Sequence, residues 1–137
     1  MSAEENKAIL LHAMEHFNNK NDRSGYFALY DDDCILHRGP GVNRGIESIK
    51  QFYSEAWTAF PDGIQTLDDV IAEGDKVEAR YTFHGTHLGI FMDIPPTGRQ
   101  VTVTGIATLR FANGKCVERW YPANMADFLR QLGVDAR

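Results

Sequence analysis

The 137-residue chain carries 14 basic and 19 acidic side chains, a net charge of −5. That length suits one domain with one hydrophobic core, and the acidic balance repels nucleic-acid backbones and anionic membrane surfaces. No apolar run reaches the roughly 20 residues needed to span a bilayer, and the opening MSAEENKAILL reads as a charged helix start rather than a signal peptide, so the expected setting is the cytoplasm.

Residues 2–19 predict a first helix. Ala8, Leu11, Met14 and Phe17, widened by Ile9 and Ala13, recur at the spacing of one helical face, and Ser2 with Glu5 three residues later forms a capping box. Residues 24–30, with Tyr26, Phe27, Leu29 and Tyr30 at near-helical spacing, predict another helical turn or two. The acids Asp31, Asp32 and Asp33 read as solvated loop residues, since three adjacent carboxylates cannot all reach one ion. Residues 34–37 read as a short strand, and residues 38–41 as a loop. A second amphipathic helix is expected over residues 45–60, with Ile46, Ile49, Phe52, Tyr53, Ala56, Trp57 and Phe60 in one broad stripe and Pro61 forbidding continuation. So many aromatic side chains suit a core, and part of the stripe suits the wall of a ligand cavity.

From residue 64 onward the chain alternates with period two. Residues 64–72 predict one strand. In the next, Val77, Ala79, Tyr81 and Phe83 oppose Lys76, Glu78, Arg80, Thr82 and His84. In residues 101–111, Val101, Val103, Gly105, Ala107, Leu109 and Phe111 oppose Thr102, Thr104, Ile106, Thr108 and Arg110. Asn113-Gly114 then predicts a tight hairpin, because the favoured two-residue turn needs positive φ at both positions, so a further strand returns from residue 115 to about 122. Helices gathered before and beside a strongly curved antiparallel sheet give the α+β class. Both parities over residues 77–111 are apolar or Thr-rich, which predicts that a second copy covers the sheet's outer face in a homodimer. A structural explanation for Glu118 is an ion pair with Arg80. Cys34 and Cys116 lack paired-ligand spacing and read as packed small hydrophobes, and His12 with His16 has no third ligand at recognisable spacing. No metal and no cofactor are expected.

The segments Phe60-Pro61-Asp62, Ile71-Ala72-Glu73-Gly74-Asp75-Lys76-Val77, Gly85-Thr86-His87, Ile94-Pro95-Pro96-Thr97-Gly98-Arg99 and Glu118-Arg119-Trp120, closed by Gln131-Leu132-Gly133, together resemble the SnoaL-like polyketide cyclase family, also called ester cyclases. The resemblance runs in order through nearly the whole chain. It implies the nuclear transport factor 2-like (cystatin-like) fold, a cone of curved sheet wrapped on N-terminal helices around a deep apolar pocket, and commonly a dimer through the sheet. It also implies cofactor-free intramolecular aldol cyclisation of a hydrophobic, carbonyl-bearing small molecule, with a pocket aspartate as acid/base.

In that family the aspartate lies four residues after the tryptophan of the Glu-x-Trp motif, a position occupied here by Asn124. An amide polarises a carbonyl by donating a hydrogen bond but does not exchange protons near neutral pH. The candidate catalytic set is therefore Asn124 with a histidine, His37, His84 or His87, to handle the proton. Expected substrate contacts are Tyr53, Trp57, Phe60, Phe91, Met92, Thr104 and Trp120, with the loop over residues 94–99 as one lip. The alternatives are a non-catalytic carrier, or an isomerase or hydrolase on the same fold, since fold alone does not select a chemistry.

Overall fold

The computed structural model describes residues 2–38, 41–121 and 125–133. Helix α1 spans Ala3–Phe17. Its capping box is formed: the Glu5 amide donates to Ser2 Oγ at 3.0 Å and the Ser2 amide to Glu5 Oε1 at 3.1 Å, satisfying two otherwise orphaned donors. The buried stripe is Asn6, Leu10, Ala13, Met14 and Phe17, while Leu11 is 43% exposed. This corrects the expected face. Steps of three residues fall short of a 3.6-residue turn and drift around the helix, whereas 10, 13, 14 and 17 stay on one side.

A short 3-10 helix, Arg23–Leu29, leads into β1, Tyr30–Arg38. β1 is longer than expected and takes in Asp31, Asp32 and Asp33; Asp32 and Asp33 are exposed. Strand β2, Gly41–Arg44, pairs with β1 where the sequence suggested that residue 41 still belonged to a loop. Helix α2, Ile46–Ala59, buries Ile49, Tyr53 and Ala59. Then follow β3 (Ile64–Glu73), β4 (Lys76–Thr86), β5 (Gln100–Ala112), β6 (Lys115–Tyr121) and the short helix α3 (Met125–Gln131). No helix among the described residues is long and apolar enough to cross a membrane.

The six strands lie in the order β2-β1-β6-β5-β4-β3. β3 through β6 pair antiparallel with one another in chain order, and Asn113-Gly114 turns the β5–β6 hairpin with φ of 52° and 79°. β1, however, runs parallel to β6, so the sheet is mixed rather than wholly antiparallel. A parallel pair needs a long crossover; the chain between them supplies it, including α2 and four strands. The inner parity of β4 and β5, including Val77, Ala79, Tyr81, Ala107, Leu109 and Phe111, packs in one core with Leu10, Met14, Phe17, Tyr26, Ile49 and Tyr53 from the helical layer. At one end of that layer the packing opens into a cavity.

Candidate functional site

The cavity has a volume of about 210 Å³ and lies between α2 and the concave face of the sheet. Its wall is mostly aromatic: Phe17 from α1; Phe52, Tyr53 and Trp57 from α2; Phe60; Tyr81 and Phe83 from β4; Tyr121 from β6; Phe91 and Met92 from the loop after β4; and Phe128 from α3. The i, i+4 spacing of Tyr53 and Trp57 puts both on one side of α2, with their rings 5.8 Å apart. Phe60 ends the wall, in ring contact with Phe83, Phe91 and Phe128 at 5.5–6.1 Å.

The lip is fastened rather than loose. The amides of Leu88 and Gly89 donate to the Ala59 carbonyl at 2.8 and 3.2 Å, which occupies an otherwise unpaired carbonyl at the α2 C-terminus. Residue 89 must be glycine for this approach, because a Cβ would lie 2.7 Å from the Thr58 carbonyl oxygen. Phe91 and Ile94 exchange backbone bonds across a two-residue turn in which Met92 and Asp93 both have positive φ. At the base, the His87 amide donates to the Arg99 carbonyl at 2.9 Å, and His87 Nδ1 accepts from the Thr97 amide at 3.2 Å. Fully buried, His87 stacks on Phe60 at 5.4 Å and ties the loop to the wall from behind.

The polar end of the cavity joins α2, β1 and β6. Arg38, paired in register with Tyr121, places a guanidinium over the Phe52 ring at 4.7 Å and donates through Nε to Asn43. Tyr53 and Tyr121 share a hydroxyl–hydroxyl bond of 2.7 Å. Behind them, Tyr53 Oη lies 3.0 Å from Tyr30 Oη and 3.2 Å from Tyr26 Oη, and Tyr26 and Tyr30 are 2.5 Å apart. Arg119, 1% exposed, closes the cluster. Its Nη1 donates to Tyr26 Oη at 2.9 Å and Tyr30 Oη at 3.0 Å, and its guanidinium covers the Tyr121 ring at 4.3 Å.

Burial pushes the Tyr30, Tyr53 and Tyr121 hydroxyls above the usual phenol range despite the opposing pull of Arg119, so they stay protonated at neutral pH. Burial also works against the Arg119 charge, but the four surrounding tyrosines outweigh it and hold the group well above its ordinary value. Among the described residues, no carboxylate pairs with Arg119. Two further wall residues hold buried donors without a partner among the described residues, Trp57 Nε1 and Gln65 Nε2.

Of the candidates drawn from the sequence, Tyr53, Trp57, Phe60, Phe91 and Met92 stand together on the wall. His37, His84, Thr104 and Trp120 stand on the opposite, outer face of the sheet. His37 stacks on Trp120 with rings 5.4 Å apart, His84 Nδ1 meets Thr102 Oγ1 at 3.1 Å, and Thr104 pairs with Thr82 in exposed register. Glu118 is on that face too: its partners are His37 Nε2 at 2.8 Å and Arg110 at 3.2 Å, which corrects the expected pairing with Arg80. These bonds, His37 first, hold its carboxyl below the usual range. Asn124 lies outside the described residues. Sequence reasoning missed Arg38, Tyr121 and the buried role of Arg119. The signal for Arg119 was present in the Glu118-Arg119-Trp120 motif, where the charge between the two outer-face residues has to point inward.

A family model described as SnoaL-like polyketide cyclase matches residues 8–132. No curated protein matches the chain. Among solved structures, AclR from Streptomyces galilaeus is 32% identical, with a TM-score of 0.83 over 96% of this chain and 98% of that one. TsrD from Streptomyces laurentii is 31% identical, with a TM-score of 0.79 over 92% and 96%. IdmH from Streptomyces antibioticus is 30% identical, with a TM-score of 0.78 over 94% and 99%. With its curved sheet, aromatic cavity and near-complete match, the chain belongs to the SnoaL-like polyketide cyclase family.

Proposed function

We propose that the cavity binds a hydrophobic, carbonyl-bearing small molecule and that the protein acts as a polyketide cyclase-type enzyme, closing a ring by cofactor-free intramolecular aldol addition. One observation carries the reading. The wall is aromatic, yet its polar end carries donors, the Arg38 guanidinium and the hydroxyls of Tyr53 and Tyr121. A buried donor left unmet costs about 1–3 kcal/mol, so a ligand carrying carbonyl oxygens fits where a bare hydrocarbon does not. The family supports a small-molecule site, and IdmH, described as a candidate polyketide cyclase, is one relative with that assignment. AclR, described as a candidate hydroxylase, shows that the name of one relative does not fix the reaction.

In an aldol closure the substrate loses a proton from carbon beside one carbonyl, that carbon bonds to a second carbonyl carbon, and the resulting alkoxide takes up a proton. Product and substrate are isomers. The described residues account for folding the chain of the substrate in a dry site and for donating to its oxygens. A second reading, a carrier without turnover, is favoured by one observation: the described wall holds no imidazole and no carboxylate. Asn124 decides between them. Asn124→Asp should gain or increase aldol-type conversion of a polycyclic aromatic ester, through a carboxyl whose pKa is raised by desolvation. Asn124→Leu should keep ligand binding and abolish native turnover. Equal native turnover in wild type and the leucine variant would remove Asn124 from the chemistry. We further propose that the outer sheet face, where Ile64, Ile71 and Ile106 are 44%, 61% and 48% exposed, is covered by a second copy.

A further inference from the structure

Arg119 is a buried cation whose described hydrogen-bond partners are hydroxyls alone. Carrying such a charge into a core costs several kcal/mol unless something answers it, and phenols answer it only by turning their oxygens towards it. That orientation has a consequence for every proton in the cluster. Tyr26 and Tyr30 accept from Nη1, so their own protons point away from the guanidinium, among themselves and towards Tyr53. Either hydroxyl can donate in the 2.7 Å bond between Tyr53 and Tyr121, and the order that continues outward from Arg119 has Tyr53 accepting from Tyr26 and Tyr30 and donating to Tyr121. The Tyr121 hydroxyl is the last of the chain, and its proton has no acceptor left inside the cluster. Tyr121 lines the cavity, as does its register partner Arg38, which brings a second positive charge to the same end. Hydrogen bonds in a chain polarise one another, and in a dry site the effect is not screened by water. A protein of net charge −5 thus places, at one end of its cavity, the Arg38 cation on the wall, the buried Arg119 cation behind the tyrosines and, in this order, an outward-facing donor.

We propose that the end of the cavity at Tyr121 and Tyr53 is a receptor for an oxygen anion, so that the ligand class is an aromatic enol or phenol bound through its ionised oxygen. The assignment rests on the reading of the cavity as a site for an oxygen-bearing aromatic ligand and narrows it to acidic oxygens. Tyr121 touches the ligand oxygen; Arg119 is a positioning residue that acts through the hydroxyls. The same end would receive the enolate oxygen as a ring-closing substrate loses its carbon-bound proton, where fixed donors lower the barrier because they need no reorganisation.

The probes are β-naphthol and its methyl ether, which share a ring system but differ in having an ionisable oxygen. A pH titration of naphthol absorbance with the protein in excess reads the ionisation of the bound probe. An apolar site raises the pKa of a bound naphthol, whereas an anion receptor lowers it. In wild type the bound naphthol should ionise about one pH unit or more below its free value, which is about a tenfold preference for the anion. Tyr121→Phe should remove the downward shift and cost the naphthol anion about tenfold more affinity than it costs the methyl ether. A bound naphthol that ionises at or above its free value in wild type overturns the inference, and this arm needs no variant. A downward shift that survives in Tyr121→Phe, or an equal loss of both probes, overturns it as well. Failure of the methyl ether to bind wild type would sink the cavity reading itself, and the inference with it.

Discussion

Tyr53→Phe tests the hydroxyl cluster with little disturbance to packing, since the ring stays against Phe17, Tyr26 and Trp57. The lost oxygen contacts three hydroxyls, at 2.7 Å (Tyr121), 3.0 Å (Tyr30) and 3.2 Å (Tyr26). Tyr26 and Tyr30 keep each other and Arg119, so the main damage is at Tyr121, which loses its hydrogen-bond partner. A net neutral hydrogen bond contributes about 0.5–1.5 kcal/mol, and an unmet buried hydroxyl costs about 1–3 kcal/mol. The expected loss is about 2 kcal/mol, or roughly 6–10 °C in Tm for a domain of this size. The assay is urea unfolding followed by tryptophan fluorescence, with an unchanged m-value required for the comparison. Tyr81→Phe is the control, because the Tyr81 hydroxyl is bonded to no described residue, and it should stay within about 0.5 kcal/mol of wild type. A Tyr53→Phe loss no larger than that of Tyr81→Phe would refute the view of the cluster as a coupled network.

Two other predictions concern the outer face. Glu118 is held below its unfolded value of 4.5 by His37 first and Arg110 second; a depressed carboxyl contributes stability above the unfolded value and loses it as pH falls through the folded one. Wild-type stability should therefore fall on acidification below about pH 4.5, and Glu118→Gln should flatten that part of the curve; an unchanged slope would refute the pairing. Light scattering at micromolar concentration should give twice the chain mass of 15.4 kDa, with an Ile106→Lys variant shifted to monomer, whereas a monomeric wild type would count against the proposed dimer.

Much of the fold was open to reading because its signals are local. Alternation over β4 and β5 follows from the pleat, the Asn113-Gly114 turn from its positive φ values, and the α1 start from Ser2 and Glu5. The aromatic stripe of α2 likewise gave Tyr53, Trp57 and Phe60 as wall residues. What failed was face assignment on β6. The pairing of Arg110 with Glu118 and of Phe111 with Cys116 leaves Val117 as an extra residue, and a bulge of this kind reverses the parity beyond it. Cys116 and Arg119 therefore face inward together despite their odd spacing, and Trp120 faces out while Tyr121 faces in. The four tyrosines at positions 26, 30, 53 and 121 come from separate elements, so their convergence on Arg119 exists only in three dimensions. The parallel seating of β1 on β6 was illegible for the same reason: a crossover of most of the chain length leaves no local mark.

The most direct test of the account is ligand discrimination reported by Trp57, the tryptophan of the cavity wall. In a Trp120→Phe background Trp57 is the only remaining tryptophan of the two in the sequence, so quenching on titration reads occupancy of the cavity. Acetylnaphthalene and ethylnaphthalene have nearly the same shape and differ by a carbonyl oxygen. The account predicts saturable quenching by both, with the ketone bound about tenfold more tightly, as expected when one buried donor is met rather than left unpaired. Equal affinity for the two, or no saturable quenching by either, would contradict it.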